Sequence, residues 1–223
     1  MATIFFLKIL FLLARRPPPT RQMLLRMTQW ISENNLAWGS LDLPLLGISH
    51  DWFGAPIAPL PGYALATDQT HLWFIATRQA PAQVHPQAKP GQFIEGLWEA
   101  DVAELFLTDS NSGRYLEFNL APNSAWWGCE FTSPRQRASN IFEQMPEVQT
   151  YADLAADGSW LAAMAIPLEI LRARIDFGPS TRANVAMILG APKPQYFSVC
   201  KMPEQPLDFH QPAFFSQLDS KNC

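Results

Sequence analysis

Asp101-Val-Ala-Glu-Leu-Phe-Leu-Thr108 and Arg114-Tyr-Leu-Glu-Phe-Asn-Leu120, joined by Asp109-Ser-Asn-Ser-Gly113, decide the fold class of this chain. A cluster of Asx, Ser and Gly between two runs rich in aromatic and aliphatic residues is a hairpin signal, because Asn and Gly tolerate the left-handed backbone a tight loop requires. Side chains alternate across a strand, so Leu116, Phe118 and Leu120 share one face while Tyr115, Glu117 and Asn119 share the other. This predicts one core face and one polar face that carries an aromatic ring.

Working outward, the same period recurs. Tyr63, Leu65 and the run His71-Leu-Trp-Phe-Ile-Ala-Thr77 flank a turn at Thr67-Asp68-Gln69 and read as a second hairpin. Tyr151 to Leu154 and Ser159-Trp-Leu-Ala-Ala-Met-Ala-Ile166 flank Ala156-Asp157-Gly158 as a third. Trp126-Trp-Gly-Cys-Glu-Phe131, Arg182-Ala-Asn-Val-Ala-Met-Ile-Leu189 and Tyr196-Phe-Ser-Val-Cys200 read as further strands. Residues 79–96, with Pro81, Pro86 and Pro90, read as a long loop, and the polar stretch Thr132–Asn140 as another. Pro167-Leu-Glu-Ile-Leu171 suits a single helical turn. Strands this close together without long helices between them predict an all-β sandwich with short helical turns.

Composition sets the remaining bounds. The 223 residues are 48% apolar and 16% charged, enough to bury a core in one domain. Sixteen Lys and Arg against twenty Asp and Glu give a net charge of −4, the wrong balance for a nucleic-acid partner. Twenty prolines favour short strands and irregular loops. The apolar start MATIFFLKILFLLA is interrupted by Lys8 and is too short to span a bilayer. Residues 1–22 are therefore read as an apolar extension, with an atypical export signal as the alternative, and residues 23–223 as a single ligand-binding domain. Cys129, Cys200 and Cys223 have no CxxC spacing, and His50, His71, His85 and His210 are dispersed, so no zinc site is written here. Nucleophile elbow, P-loop and Rossmann glycine patterns are also missing.

Two strings resemble a known family. Leu97-Trp-Glu-Ala-Asp-Val-Ala-Glu-Leu-Phe-Leu107 with Gly113-Arg-Tyr-Leu-Glu-Phe-Asn-Leu-Ala-Pro-Asn-Ser-Ala-Trp-Trp127 resembles the central motif of the DOMON-like superfamily, nearest to the family 9 carbohydrate-binding modules and their bacterial relatives. Asp208-Phe-His-Gln-Pro212 resembles an Asp-Phe-His-x-Pro element of those relatives. The resemblance spans residues 25–218 and implies an antiparallel β-sandwich of jelly-roll type with a sugar-binding face and no catalysis of its own. Family 9 modules accompany glycosidase domains, so a role in polysaccharide breakdown is also implied. A haem-binding domain of the same superfamily and a glycosidase stand as alternatives.

Sugar recognition needs flat aromatic faces for pyranose C–H groups and polar groups for the hydroxyls. Trp98, Trp126 and Trp127 are the candidate stacking residues; the last two are adjacent, so one should face the core and the other the ligand. Glu99, Asp101, Glu104, Glu117, Asn119, Arg135, Asp208 and His210 are the candidate polar contacts. Cross-strand pairing of Glu104 and Glu117 with Arg114 or Arg135 is the plain structural alternative. No cofactor is expected. Carboxylates on paired strands could take Ca2+, although no EF-hand spacing occurs, and haem is disfavoured because no CxxCH occurs.

Overall fold

The computed structural model describes residues 27–39, 41–109, 112–138, 147–203 and 205–222. The apolar stretch 1–22 lies outside the described residues. Thirteen strands form one continuous sheet that curls until its two halves face each other, the β-sandwich predicted from the sequence. In chain order they are β1 (Met27–Ile31), β2 (Leu46–Gly47), β3 (Pro61–Thr67), β4 (His71–Arg78), β5 (Val102–Thr108), β6 (Tyr115–Leu120), β7 (Trp126–Ser133), β8 (Gln136–Arg137), β9 (Gln149–Leu154), β10 (Trp160–Pro167), β11 (Arg182–Leu189), β12 (Gln195–Ser198) and β13 (Ser216–Asn222). The helix α1 (Leu168–Arg174) follows Pro167, and two short 3-10 turns lie at Leu97–Glu99 and Pro212–Phe214.

The three expected hairpins are β5–β6, β3–β4 and β9–β10. One half of the sheet runs β8–β7–β6–β5–β11, with β12 on the far side of β11; the other runs β1–β3–β4–β10–β9. Strand β13 joins them, antiparallel to β11 through Ala183 and parallel to β1 along its whole length. Among the described strands, parallel pairing is confined to β1 with β13 and β1 with β3. The stretch Thr132–Asn140 is not simply a loop: β7 continues to Ser133 and turns at once into β8.

Inward faces of both halves make the core. Leu105, Leu107, Leu116, Phe118, Leu120 and Val185 from one half meet Leu65, Leu72, Phe74, Met164 and Ile166 from the other. On the outer side of β3, β4 and β10, small and aromatic residues (Ala64, Ala66, Trp73, Ile75, Ala163, Ala165) are covered by Leu36, Trp38, Leu41 and Leu43. Among the described residues no helix is long and apolar enough to cross a membrane.

Candidate functional site

The outer face of the β5–β6–β7–β11 half is the polar face anticipated from the alternation in β6. Register places Glu104 opposite Asn119 and Ala186, Phe106 opposite Glu117, and Glu117 opposite Cys129. Asn119 faces Trp127 and Tyr115 faces Phe131. This face is not open to solvent: Glu104 and Glu117 are only 4% and 3% exposed, and Asn119 is fully buried.

What covers it is the segment Leu207–His210, the turn into β8 and the 3-10 turn carrying Trp98. Between cover and sheet lies a cavity of about 400 Å3, with Glu104 and Glu117 on its floor, Trp98, Trp127, Arg135 and Arg137 on one side, and Ile188, Tyr196, Leu207 and Phe209 on the other. His210 and Phe131 close its end. The volume falls at the small end of the roughly 300–1,000 Å3 typical of small-ligand pockets.

The cover is held by a hydrogen-bond chain. Arg135 has a left-handed backbone (φ 59°), unusual for a residue with a β-carbon. From that turn its N–H donates to the Tyr115 hydroxyl at 3.0 Å, and its guanidinium reaches Asp208 at 2.8 Å. The Tyr115 hydroxyl and Nδ1 of His210 share a hydrogen bond at 2.8 Å, and the other ring nitrogen, Nε2, lies 3.7 Å from Glu117 Oε2. Asp208 also accepts from the backbone N–H of His210 at 2.9 Å. Rings of Phe106 and Phe131 pack around the imidazole, and Phe131 stacks on Tyr115 at 4.7 Å.

Burial governs the charges. Desolvation pushes the Glu117 carboxyl up to about 7, opposed by Asn119, Arg137 and Arg135. Glu104 is pushed well above the ordinary carboxylate range by burial first and by the neighbouring Glu117 second. Two interacting carboxyls this dry do not favour carrying two charges at once. Desolvation also holds His210 down at about 4, with Arg135 adding to the effect, so it is neutral at physiological pH. Asp208 sits below its usual value, because the hydrogen bonds from Arg135 and His210 outweigh its desolvation.

Seven of the eleven residues singled out from the sequence line the cavity: Trp98, Glu104, Glu117, Trp127, Arg135, Asp208 and His210. Asn119 sits on the same face beside them, its amide favouring the charged form of Glu117 without forming a well-aligned hydrogen bond to a protein group. The other three do not join. Trp126 points the opposite way and packs edge-on against Phe93 in the core. Asp101 accepts from the N–H groups of Gly190 at 2.6 Å and Gln83 at 3.1 Å, pinning two loops to the head of β5. Glu99 has a side chain 70% exposed and lies 3.9 Å from His85.

The adjacent tryptophans divide as alternation requires. Trp127 reaches the cavity but is only 1% exposed, with Trp98 edge-on at 5.6 Å and the Arg137 guanidinium carbon 5.2 Å from its ring centre. Trp98, 36% exposed, offers the accessible face. Pairing of the floor carboxylates with arginine does not occur: Arg114 pairs with Glu130, Arg135 with Asp208 and Arg137 with Glu95. Arg137, Ile188, Tyr196, Leu207 and Phe209 were not among the sequence candidates; Arg137 stands two residues from Arg135 on the next strand, and Phe209 lies inside the Asp208–Pro212 motif.

Among the described residues no three His, Cys, Asp or Glu side chains gather at one point. His210 has Nδ1 hydrogen-bonded with the Tyr115 hydroxyl and Nε2 3.7 Å from Glu117.

No family model matches the chain, and neither does any curated protein sequence. Solved structures do. An inferred carbohydrate-binding protein from Bacteroides uniformis superposes with a TM-score of 0.70 at 15% identity, covering 87% of this chain and 99% of that one. A family 9 carbohydrate-binding module from Caldicellulosiruptor kristjanssonii in complex with cellotriose gives 0.57 at 12% identity, covering 88% and 94%, and its complex with glucose gives 0.57 at 11%, covering 87% and 96%. At these identities the likeness is one of fold: the chain shares the β-sandwich of family 9 modules over most of its length.

Proposed function

We propose that this chain is a non-catalytic carbohydrate-binding protein, a DOMON-like relative of the family 9 modules that holds a short saccharide in the cavity over β5, β6 and β7. The observation that carries the reading is the pairing, in one small cavity, of an accessible tryptophan face with a buried polar floor: Trp98 on one side, Glu104 and Glu117 beneath. Trp98 supplies the stacking surface, the floor carboxyls bond to hydroxyls, and the rim groups Arg135 and Asp208 bond those left outside. A saccharide-binding module on the same fold supports it.

Binding is favoured over turnover by how the carboxyls are placed. Glycosidases set an acid and a nucleophile or base on the two sides of the scissile bond. Glu104 and Glu117 instead occupy neighbouring strands of one floor, diagonal to each other in the register.

Titration calorimetry of the protein with glucose, cellobiose and cellotriose tests the proposal. Saturable heats are expected, with Trp98→Ala weakening the affinity by about tenfold or more, as loss of a buried aromatic anchor does. Absence of binding across these sugars and across xylose- and mannose-based oligomers would overturn it.

A further inference from the structure

The floor and the rim of the cavity differ in how their charges are met. At the rim each arginine has an acid in contact, Arg135 with Asp208 and Arg137 with Glu95. On the floor no such contact exists. Glu104, 4% exposed and facing the cavity, accepts no hydrogen bond from any described residue, and the charges that act on it are those of Glu117 and Arg135. Glu117 has the Asn119 amide beside it and His210 at 3.7 Å, a histidine held neutral first by burial and then by the nearby Arg135 charge. Arg135 and Arg137 act on the pair through space while bonded elsewhere.

A buried carboxylate without a counter-charge is costly, and the cost falls when a ligand brings one. A sugar hydroxyl donates a single hydrogen bond and leaves the charge in place. An ammonium group donates three and cancels it. Hydrogen bonds to charged partners are also about twice as strong as neutral ones. Resting on the carbohydrate-binding reading, we infer that the cavity selects a saccharide bearing a free amino group, seated with its ammonium on Glu104 and Glu117 and its ring against Trp98.

Three β-1,4-linked tetramers of matched length test this by calorimetry at pH 7: the glucosamine tetramer, the N-acetylglucosamine tetramer and cellotetraose. The free-amine tetramer is expected to bind at least about tenfold more tightly than either neutral one. In Glu104→Gln that advantage should shrink to within about twofold, with a thermal melt to show that the variant is folded; Glu117→Gln serves in its place if it is not. Equal or tighter binding of the neutral tetramers would overturn the inference and leave the carbohydrate reading intact. Equal affinity for tetralysine would assign the preference to the net negative charge of the chain, and would overturn it as well. No binding of any tetramer would bring down the carbohydrate reading and the inference together.

Discussion

The two halves of the sheet use the same alternation to opposite ends. In β3, β4 and β10 the outward positions are alanines, Ile75 and Trp73, and the segment carrying Leu36, Trp38, Leu41 and Leu43 lies directly on them. In β5, β6 and β7 the outward positions hold Glu104, Glu117 and Asn119, and the covering segment 207–210 stands off far enough to leave about 400 Å3. Small side chains let a cover dock flush, and a flush cover stabilises. Buried carboxyls keep a cover at a distance, at a cost in stability that the Arg135–Tyr115–His210 chain offsets locally. One outer face is therefore closed by its cover, and the other keeps a cavity beneath it.

Mutations should separate the two. Trp73 packs edge-on with Trp38 at 4.7 Å and donates to Asp68 at 2.8 Å, so Trp73→Ala should cost about 3–5 kcal/mol in chemical denaturation. Saccharide affinity, measured well below the melting temperature, should stay within about twofold. On the other half, Asp101→Ala should cost about 2–3 kcal/mol by freeing the loops at Gln83 and Gly190.

A smaller effect appears in the pH dependence of stability. Glu117 is held at about 7 against an ordinary 4.5, so its protonated form favours the folded state and its contribution is lost as pH rises between those values. Glu104 acts in the same sense. His210 is held at about 4 against 6.5, so its contribution is present above 6.5 and lost as pH falls toward 4. In the wild type the two trends oppose each other. The double variant Glu104→Gln/Glu117→Gln should lose stability on acidification from 6.5 with a limiting slope of about 1.4 kcal/mol per pH unit, and His210→Gln, which keeps both carboxyls, should gain it below 7 with a slope of up to about twice that, in denaturant titrations. Opposite slopes in the two variants check the assignment; parallel slopes refute it.

At the low end of the scale, Trp98→Ala should cost about 0.5–1.5 kcal/mol of stability, the worth of its edge-on contact with Trp127, beside its expected effect on affinity. Glu99→Gln should change neither stability nor binding, since its side chain points to solvent away from the cavity.

Much of this was legible in the residues. The alternation through Tyr115–Leu120 separated the core face from the site face, and the Trp126–Trp127 pair had to split between them. Which tryptophan faced which way depended on strand register, and that is a property of the partner strand. The roof over the polar face was not legible for a related reason: it comes from residues 207–210, remote in sequence, and no local pattern announces that a strand face will be covered. Asp101 looked like its neighbour Glu104, yet it stands at the head of β5, where loop N–H groups converge on it. Strands β1 and β13 carried too little apolar periodicity to be read at all; Ser-Gln-Leu-Asp-Ser-Lys-Asn pairs along one edge with most of its side chains in water.

That weakly patterned strand has a consequence for the order of events during synthesis. Met27–Ile31 is made early but has its longest pairing with Leu218–Asn222, which leaves the ribosome late. The hairpins β3–β4, β5–β6 and β9–β10 can close as they emerge, whereas the join between the two halves must wait for translation to pass residue 222. Until then the nascent chain holds an unpaired edge on β1, and the two halves stay unjoined until β13 emerges.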